Sequence, residues 1–322
     1  MTRIALDAMG GDNAPSETVA GAVEASRLGV DVVLVGHHEA LQKELASHDT
    51  RLPIVDAMEV IGMGDDPARA LREKPQSSIN VAARLVAEGS AEGFVSAGST
   101  GAAMAAAAIV IGRIKGVSRP AIATTFPTPG TPTIVLDSGA NPEVKPEQIA
   151  QFGIMGSVAS ESLFGVNKPR VGLLSIGEEK GKGRDLERAA YELLEKGPTN
   201  FVGNLEGRDI AMDKADVIVT DGFTGNVFLK TTEGTVKLVS QYLLEALSEM
   251  PEEIQERAIP ALAAVGERLD YETYGGAQLL GVKSVAVIAH GSSSRVAIAN
   301  AIVLARDAAK SDLPGRLATQ LA

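Results

Sequence analysis

Serine, threonine, lysine, asparagine and histidine stand on short glycine-rich loops in this chain, a set of residue types suited to handling an anion beside a carbonyl group. Ser99 and Thr100 lie in SAGSTGA, Ser96 to Ala102, between an apolar run and an alanine-rich helix. Hydroxyls and first-turn N–H groups at such a junction can hold a phosphate or a developing oxyanion, and Gly98 and Gly101 let bare backbone come close. Lys182 sits between two glycines in GEEKGKG, Gly177 to Gly183. A lysine there can meet phosphate as a point charge, although the spacing is not that of a Walker A loop. Lys180 in the same loop reads as a solvated charge. Asp221 and Asn226 lie in TDGFTGN, Thr220 to Asn226. The Asn226 amide can donate to a carbonyl oxygen, and Asp221 can orient a neighbouring polar group. His290, in AHGSSSR, is the candidate acid or base. Ser292 to Ser294 are expected to cap the helix that follows, with Arg295 placed to hold an anion. DAMGGD supplies Asp7, Gly10, Gly11 and Asp12. It lacks the dinucleotide fingerprint G-x-G-x-x-G, and no cluster in the chain has the spacing of a metal site. Asp12 is expected to cap the next helix. Each loop also has an ordinary reading, as a helix cap or a turn.

These loops must be positioned by something, and the runs that precede them say what. Six short, β-branched apolar runs begin at Ile4, Phe94, Thr133, Val171, Val217 and Val285, and each ends in one of the polar loops. Consecutive apolar positions fit strands buried on both faces of a parallel sheet. Ligands collect at the carboxyl ends of such strands, so the loops are expected along one edge of one sheet. Between the strands come helical patterns, the first over Ser16 to Leu28, then Glu39 to Ala46 and Ser78 to Glu88. Gly62 to Pro75 reads as a polar loop or broken helix. The alternation predicts a doubly wound α/β sheet with right-handed crossovers. No long linker divides the chain, so residues 1–322 are expected to form one α/β/α catalytic unit. Pro120 to Pro132 reads equally as a crossing between lobes or a surface loop. Val236, Val239, Leu243, Leu247 and Met250 share one helical face, and Ile254, Ala258, Leu262, Val265 and Leu269 share another. They predict a helical pair at 236–270, with the apolar stretch Ile259 to Val265 as a candidate dimer or membrane contact.

Composition narrows the chemistry. The chain has 322 residues, 45% of them hydrophobic, with only 3% aromatic and no tryptophan. It has no cysteine, which excludes disulfides, thiolate metal ligands and an acyl-cysteine intermediate. No serine sits in a G-x-S-x-G elbow. A net charge of −11 opposes bulk binding to nucleic acid. The longest apolar stretch, Ala102 to Gly112, is far below the ~20 residues of a membrane span. The start of the chain runs directly into a strand containing Asp7 and does not read as a signal peptide.

Taken together and in order, DAMGGD, SAGSTGA, LDSGAN, the Glu-x-x-Lys-Gly of Glu179 to Gly183, GNLEGRD, VTDGFTGN, YGGAQLLGV and AHGSS strongly resemble the PlsX family of phosphate acyltransferases. The resemblance covers nearly the whole chain. It implies a three-layer, Rossmann-like α/β/α sandwich related to isocitrate and isopropylmalate dehydrogenases and to phosphotransacetylase. It implies the conversion of acyl-[acyl carrier protein] and inorganic phosphate to acyl phosphate and free carrier protein, an early step of bacterial phospholipid synthesis. It also implies a cytoplasmic homodimer with peripheral membrane contact. No cofactor or metal is implied. Two positions depart from the family pattern. Ser99 stands where the family commonly has asparagine in SAGNTGA, so an amide there is not required. The helical pair carries Glu245, Glu249, Glu252, Glu253 and Glu256, which opposes electrostatic attraction to anionic lipid.

The expected mechanism is direct attack of bound phosphate on the thioester. Ser99 and Thr100, with Gly98, Gly101, Gly10, Gly11 and Asp7 around them, hold phosphate while Lys182 supplies charge. Asn226, His290 and Asp221 serve the carbonyl. An acidic carrier protein needs a basic face on this acidic chain, and two clusters qualify: Arg113, Lys115 and Arg119, or Lys180, Lys182, Arg184 and Arg188. The competing readings are a small-molecule phosphotransacetylase that uses acyl-coenzyme A, a dehydrogenase, and a non-catalytic scaffold whose polar loops do not converge.

Overall fold

The computed structural model describes residues 2–269 and 271–322. Its strands are β1 (Arg3–Asp7), β2 (Asp31–Gly36), β3 (Ile54–Asp56), β4 (Gly93–Ser96), β5 (Ala121–Phe126), β6 (Thr133–Leu136), β7 (Arg170–Leu174), β8 (Asn200–Leu205), β9 (Val217–Val219), β10 (Ala277–Leu280) and β11 (Val285–Ile288). Its α-helices are α1 (Ser16–Arg27), α2 (His38–Ala46), α3 (Pro67–Glu73), α4 (Ser78–Ala87), α5 (Thr100–Ala106), α6 (Pro146–Phe164), α7 (Asp185–Lys196), α8 (Gly222–Ser248), α9 (Glu252–Leu269), α10 (Arg295–Lys310) and α11 (Leu313–Gln320).

All eleven strands join one sheet in the order β3-β2-β1-β4-β11-β10-β5-β6-β9-β7-β8. β1, β2, β3, β4 and β11 are parallel, as their apolar runs predict. β10 is antiparallel to both β11 and β5, and β5 is antiparallel to β6. β6, β9, β7 and β8 are parallel among themselves. The sheet is therefore mixed. Three reversals turn the β6–β9–β7–β8 half against the β1–β4–β11 half. The expectation of one loop-bearing edge is corrected: the loops after β1, β4 and β11 leave one edge, and those after β6, β7 and β9 leave the other. Apolar runs report burial on both faces but carry no sign of direction. Pro120 to Pro132 is neither a crossing between lobes nor a plain surface loop: it holds β5 and the turn that leads into β6.

Strand alternation sorts the core into layers. Ile4 and Leu6 pack on one face with Val19 of α1, Phe152 of α6, Leu194 of α7 and Ile302 of α10. Ala5 and Phe94 pack on the other with Leu71 of α3, Val81 of α4 and Ala103 of α5. On that same face a separate cluster gathers Val135, Leu174, Ile210 and Ile218, with Phe228 of α8 against it. Thr124 pairs with Val135 in the sheet and shares a face with Ile122, a member of the α5-side cluster. β5 thus lies between the two clusters.

The first helix of the expected pair is longer than its apolar stripe. α8 begins at Gly222, directly after the β9 loop, and its 27 residues span about 40 Å. It therefore runs from one edge of the sheet back past the other. α9 follows, and Pro260 lies inside it.

Candidate active site

At the β1–β4–β11 edge three loops interlock. The Ser96 hydroxyl donates to Asp7 Oδ2 at 2.7 Å and accepts the Gly98 N–H at 3.0 Å. Asp7 is buried, so it lies beneath the loop and reaches it through Ser96, not through a bound ligand. Burial pushes the Asp7 carboxyl above its ordinary range, and the Ser78 and Ser96 hydroxyls oppose this without cancelling it. Gly10 passes so close to Gly98 that a Cβ on it would stand 2.7 Å from the Gly98 nitrogen. The Asp12 N–H donates to the Gly291 carbonyl at 2.7 Å, which ties in the histidine loop. α1 is capped at Pro15, so Asp12 does not cap it.

Ser99 occupies the N-cap position of α5, yet its hydroxyl makes no capping bond. Hydroxyl and first-turn N–H groups are thus left for another acceptor. His290 is exposed, with Nδ1 2.8 Å from the Ser292 hydroxyl and 3.3 Å from the Ser292 N–H. A backbone N–H can only donate, so Nδ1 accepts and the proton of the neutral ring sits on Nε2. Ser294, rather than Ser292, caps α10. Arg295 is not placed to hold an anion, because Glu17 takes its guanidinium in two bonds of 2.6 and 3.2 Å.

At the opposite edge the organising residue is Asp137, after β6. Its carboxylate accepts the N–H groups of Ile122, Gly139, Ala140 and Asn141 at 2.7 to 3.1 Å. α8 starts against this loop, with the Gly222 N–H donating to the Asn141 carbonyl at 2.8 Å. Asp221 caps α8 by accepting from the Thr224 N–H and hydroxyl. Arg184 also binds Asp221 and so fastens the end of the lysine loop there. The Asn204 side chain holds the other end through the Glu179 carbonyl at 2.9 Å. Lys182 is exposed on this loop, and among the described residues its ammonium has no hydrogen-bond or ion-pair partner. Lys180 is tied to Glu195.

Asp221 is buried while Arg184 is largely exposed. Burial pushes the Asp221 carboxyl up, but the Thr224 N–H, the Arg184 guanidinium and the Thr224 hydroxyl outweigh it and hold the carboxyl below its ordinary range. A carboxyl depressed in the folded state adds stability above its unfolded pKa, and that stability is lost as pH falls through the folded value. Arg184→Ala is expected to cost about 1–2 kcal/mol at neutral pH, toward the low end because solvent screens the arginine. The variant should also lose less stability than the parent between roughly pH 4 and 2. Urea denaturation across pH checks both.

A cavity of about 480 Å³ is lined by Gly101 and Met104 of α5, Ala140 and Asn141 of the Asp137 loop, and Arg113 and Arg119. Asn226 flanks the Asp137 loop, its Oδ1 3.5 Å from where a Cβ on Gly139 would stand. Further along α8 a second cavity, of about 690 Å³, has Leu229 in its wall and His290 and Ser292 at one end. Ser99 and Thr100 thus adjoin the first cavity through Gly101, Asn226 lies against the Asp137 loop in its wall, and His290 lines the second cavity. Lys182 lines neither cavity and stands beyond the Asp221 end of α8. The buried Thr124 hydroxyl, on β5, has no hydrogen-bond partner among the described residues. Sequence reasoning missed Asp137, Arg184, Asn204 and Thr124 as parts of the site. LDSGAN does mark the place of the first, and Arg184 is one of the charges of the second basic cluster.

A family model described as fatty acid synthesis protein matches residues 2–316. A phosphate acyltransferase of Heliobacterium modesticaldum is 51% identical over 311 residues, covering 94% of this chain and 93% of its own. One from Desulfitobacterium hafniense is 48% identical over 317 residues, covering 97% and 95%. Among solved structures, a phosphotransacetylase from Streptococcus pyogenes superposes with a TM-score of 0.65 at 16% identity, covering 96% of this chain and 94% of that one. A 4-hydroxythreonine-4-phosphate dehydrogenase from Klebsiella pneumoniae gives 0.55 at 13% identity, covering 96% and 99%. At such identities the structural likenesses speak to the fold alone.

Proposed function

The chain belongs to the fatty acid synthesis protein family, and on that premise we propose that it is a phosphate acyltransferase acting on acyl-[acyl carrier protein]. The observation that carries this reading is the lining of the two cavities. The 480 Å³ cavity is walled by Gly101, next to Ser99 and Thr100 at the uncapped start of α5, and by Ala140 and Asn141 of the loop that Asn226 lies against, while His290, whose outward nitrogen bears a proton, lines a second cavity.

In the reaction, inorganic phosphate rests on the α5 start and its oxygen attacks the thioester carbonyl carbon. A C–O bond forms, the C–S bond breaks, and the sulfur leaves as thiolate. Asn226 donates to the carbonyl oxygen as negative charge builds there. His290 Nε2–H donates a hydrogen bond to the leaving sulfur and stabilises the thiolate, which then takes its proton from solvent. Lys182 adds positive charge from the loop beside α8. Asp221 positions α8 and this loop, and Asp7 positions the phosphate loop from below. The whole chain acts as one catalytic unit of the three-layer class related to isocitrate and isopropylmalate dehydrogenases. Leu238, Val239 and Tyr242, each about half exposed on α8, form the homodimer contact. The apolar Ile259 to Val265 stretch touches the membrane from the cytoplasmic side without the help of anionic lipid. Among the described residues, no helix is long and apolar enough to cross a membrane.

Of the two basic clusters, the first suits an acidic carrier. Lys180, Arg184 and Arg188 are engaged by Glu195, by Glu187 with Asp221, and by Asp185. Arg113 bonds only the Ser118 carbonyl among the described residues, and neither Lys115 nor Arg119 forms an ion pair there. Arg113 and Arg119 also line the 480 Å³ cavity, where a pantetheine arm would enter. Reversing Arg113 and Lys115 to glutamate is expected to raise KM for acyl carrier protein about tenfold and leave kcat unchanged. The deciding assay follows phosphate-dependent thiol release from acyl carrier protein and from coenzyme A thioesters side by side. Equal or better use of coenzyme A, unaffected by the charge reversal, would replace this reading with a small-molecule phosphotransacetylase.

A further inference from the structure

We propose that Met63 makes phosphate rather than water the acyl acceptor, by covering the reacting carbonyl from a stapled turn laid across the α5 start and the histidine loop. The proposal rests on the acyl-transfer reading and adds to it a specificity-determining residue that none of the six glycine-rich loops contains.

The stretch Gly62 to Pro75 splits in the structure into a turn and α3. Ile61 is buried in the α5-side cluster, and the chain then leaves the core. The Asp65 N–H donates to the Gly62 carbonyl at 3.2 Å, and Asp65 Oδ2 accepts the Gly62 N–H at 2.9 Å. This closes a turn with Met63 and Gly64 at its tip. Lys74, just past α3, pins the turn from behind. Its ammonium pairs with Asp65 Oδ2 at 2.6 Å and donates to the Val60 carbonyl at 3.0 Å. Pro67, the first residue of α3, rests on the phosphate loop: a Cβ on Gly101 would stand 2.7 Å from Pro67 Cγ. Met63 reaches the histidine loop, where a Cβ on Gly291 would stand 2.6 Å from Met63 Cε. One short segment therefore touches the residue after Thr100 and the residue after His290. Met63 is 48% exposed and joins none of the three core clusters, so the fold does not need its packing.

Two nucleophiles compete for the thioester. Attack by a phosphate oxygen gives acyl phosphate. A water oxygen can bond the same carbonyl carbon, break the same C–S bond and shed a proton to solvent, which gives a free carboxylic acid and the thiol. Water is the more abundant of the two, so the preference for phosphate has to come from excluding it. A thioether offers water only a weak acceptor, and its flexible chain can fit closely over a glycine backbone.

The experiment measures thiol release from octanoyl- and hexadecanoyl-[acyl carrier protein], with saturating inorganic phosphate and with none. The proteins are the parent, Met63→Ala, Met63→Leu, Lys74→Met and Lys74→Arg, each with a urea melt. The ratio of phosphate-independent to phosphate-dependent release is expected to rise about tenfold in Met63→Ala. Leucine, apolar and of similar volume, should bring the ratio back to within about twofold of the parent. Lys74 is a positioning residue, so Lys74→Met should raise the same ratio and Lys74→Arg, which keeps the charge, should restore it. Simple loss of folded protein lowers both rates together and does not move the ratio. An unchanged ratio in Met63→Ala overturns the proposal, whatever happens to the total rate. A rise in Lys74→Met without one in Met63→Ala overturns it too, because the turn would then act without its methionine. Absence of phosphate-dependent release in the parent overturns the acyl-transfer reading itself, a separate outcome.

Discussion

Alanine in place of Lys182 is expected to lower kcat/KM by about two to three orders of magnitude, the effect of removing one group that stabilises developing charge. Unfolding free energy should stay within about 0.5 kcal/mol of the parent, as for other exposed side chains. The two expectations separate because the loop does not depend on this side chain for its shape. Arg184 fastens it to Asp221, Asn204 holds the Glu179 carbonyl, and the Lys182 N–H itself closes a turn onto that same carbonyl. All three survive the substitution. What is lost is an unpaired ammonium flanked by two glycines, the one cation of the loop without an intramolecular anion among the described residues. Because phosphate carries up to two negative charges, KM for phosphate should rise along with the fall in kcat. Arginine should restore part of the activity, since charge is kept while shape is not. Steady-state kinetics against phosphate concentration, with a urea melt beside them, checks this. Full activity in the alanine variant removes Lys182 from the site, and a large stability loss assigns it a structural role.

Much of the site was legible because its loops announce themselves by composition. Glycine beside serine, threonine or aspartate at the end of an apolar run marks a place where backbone must approach something closely, and Gly101, Ala140 and Asn141 from two of these loops do line one cavity, with His290 on another. What the pattern could not carry was strand direction. β5 and β10 look like any other short apolar segment, yet their antiparallel pairing moves three of the six loops to the far edge. The TDGFTGN junction does mark a helix start with Asn226 on its first turn, but the separate apolar stripe from Val236 gives no sign that both belong to one continuous helix, α8. Residues acting through backbone were the hardest to see. Asp137 satisfies four N–H groups and touches no side chain beyond its own loop, so no spacing betrays it. Arg295 failed as an anion holder for the opposite reason, because its partner Glu17 lies 278 residues away.

Gly225→Ala should be the most damaging single methyl group in the chain. A Cβ at Gly225 would stand 1.9 Å from the Asp137 carbonyl oxygen, 3.0 Å from its carbon and 3.2 Å from Ser138 Cα. All three are backbone atoms, so no rotamer change relieves the contact. The loop cannot recede, because the Asp137 carboxylate is held by N–H groups from β5 and from three of the next four residues. The helix must lift instead, and Asn226 is the next residue. A displacement of about 1 Å at a reacting group costs roughly 10²-fold in rate, so kcat/KM should fall at least that far. Overpacking of this kind also costs about 1–3 kcal/mol of stability. Gly234 in the same helix is the matched comparison, since a Cβ there meets nothing within 4 Å. Gly234→Ala should leave activity unchanged and add about 0.5–1 kcal/mol through helix propensity. Chemical denaturation and kinetics on both variants decide the matter. If they behave alike, the start of α8 does not position Asn226, and the site loses the residue that faces the carbonyl.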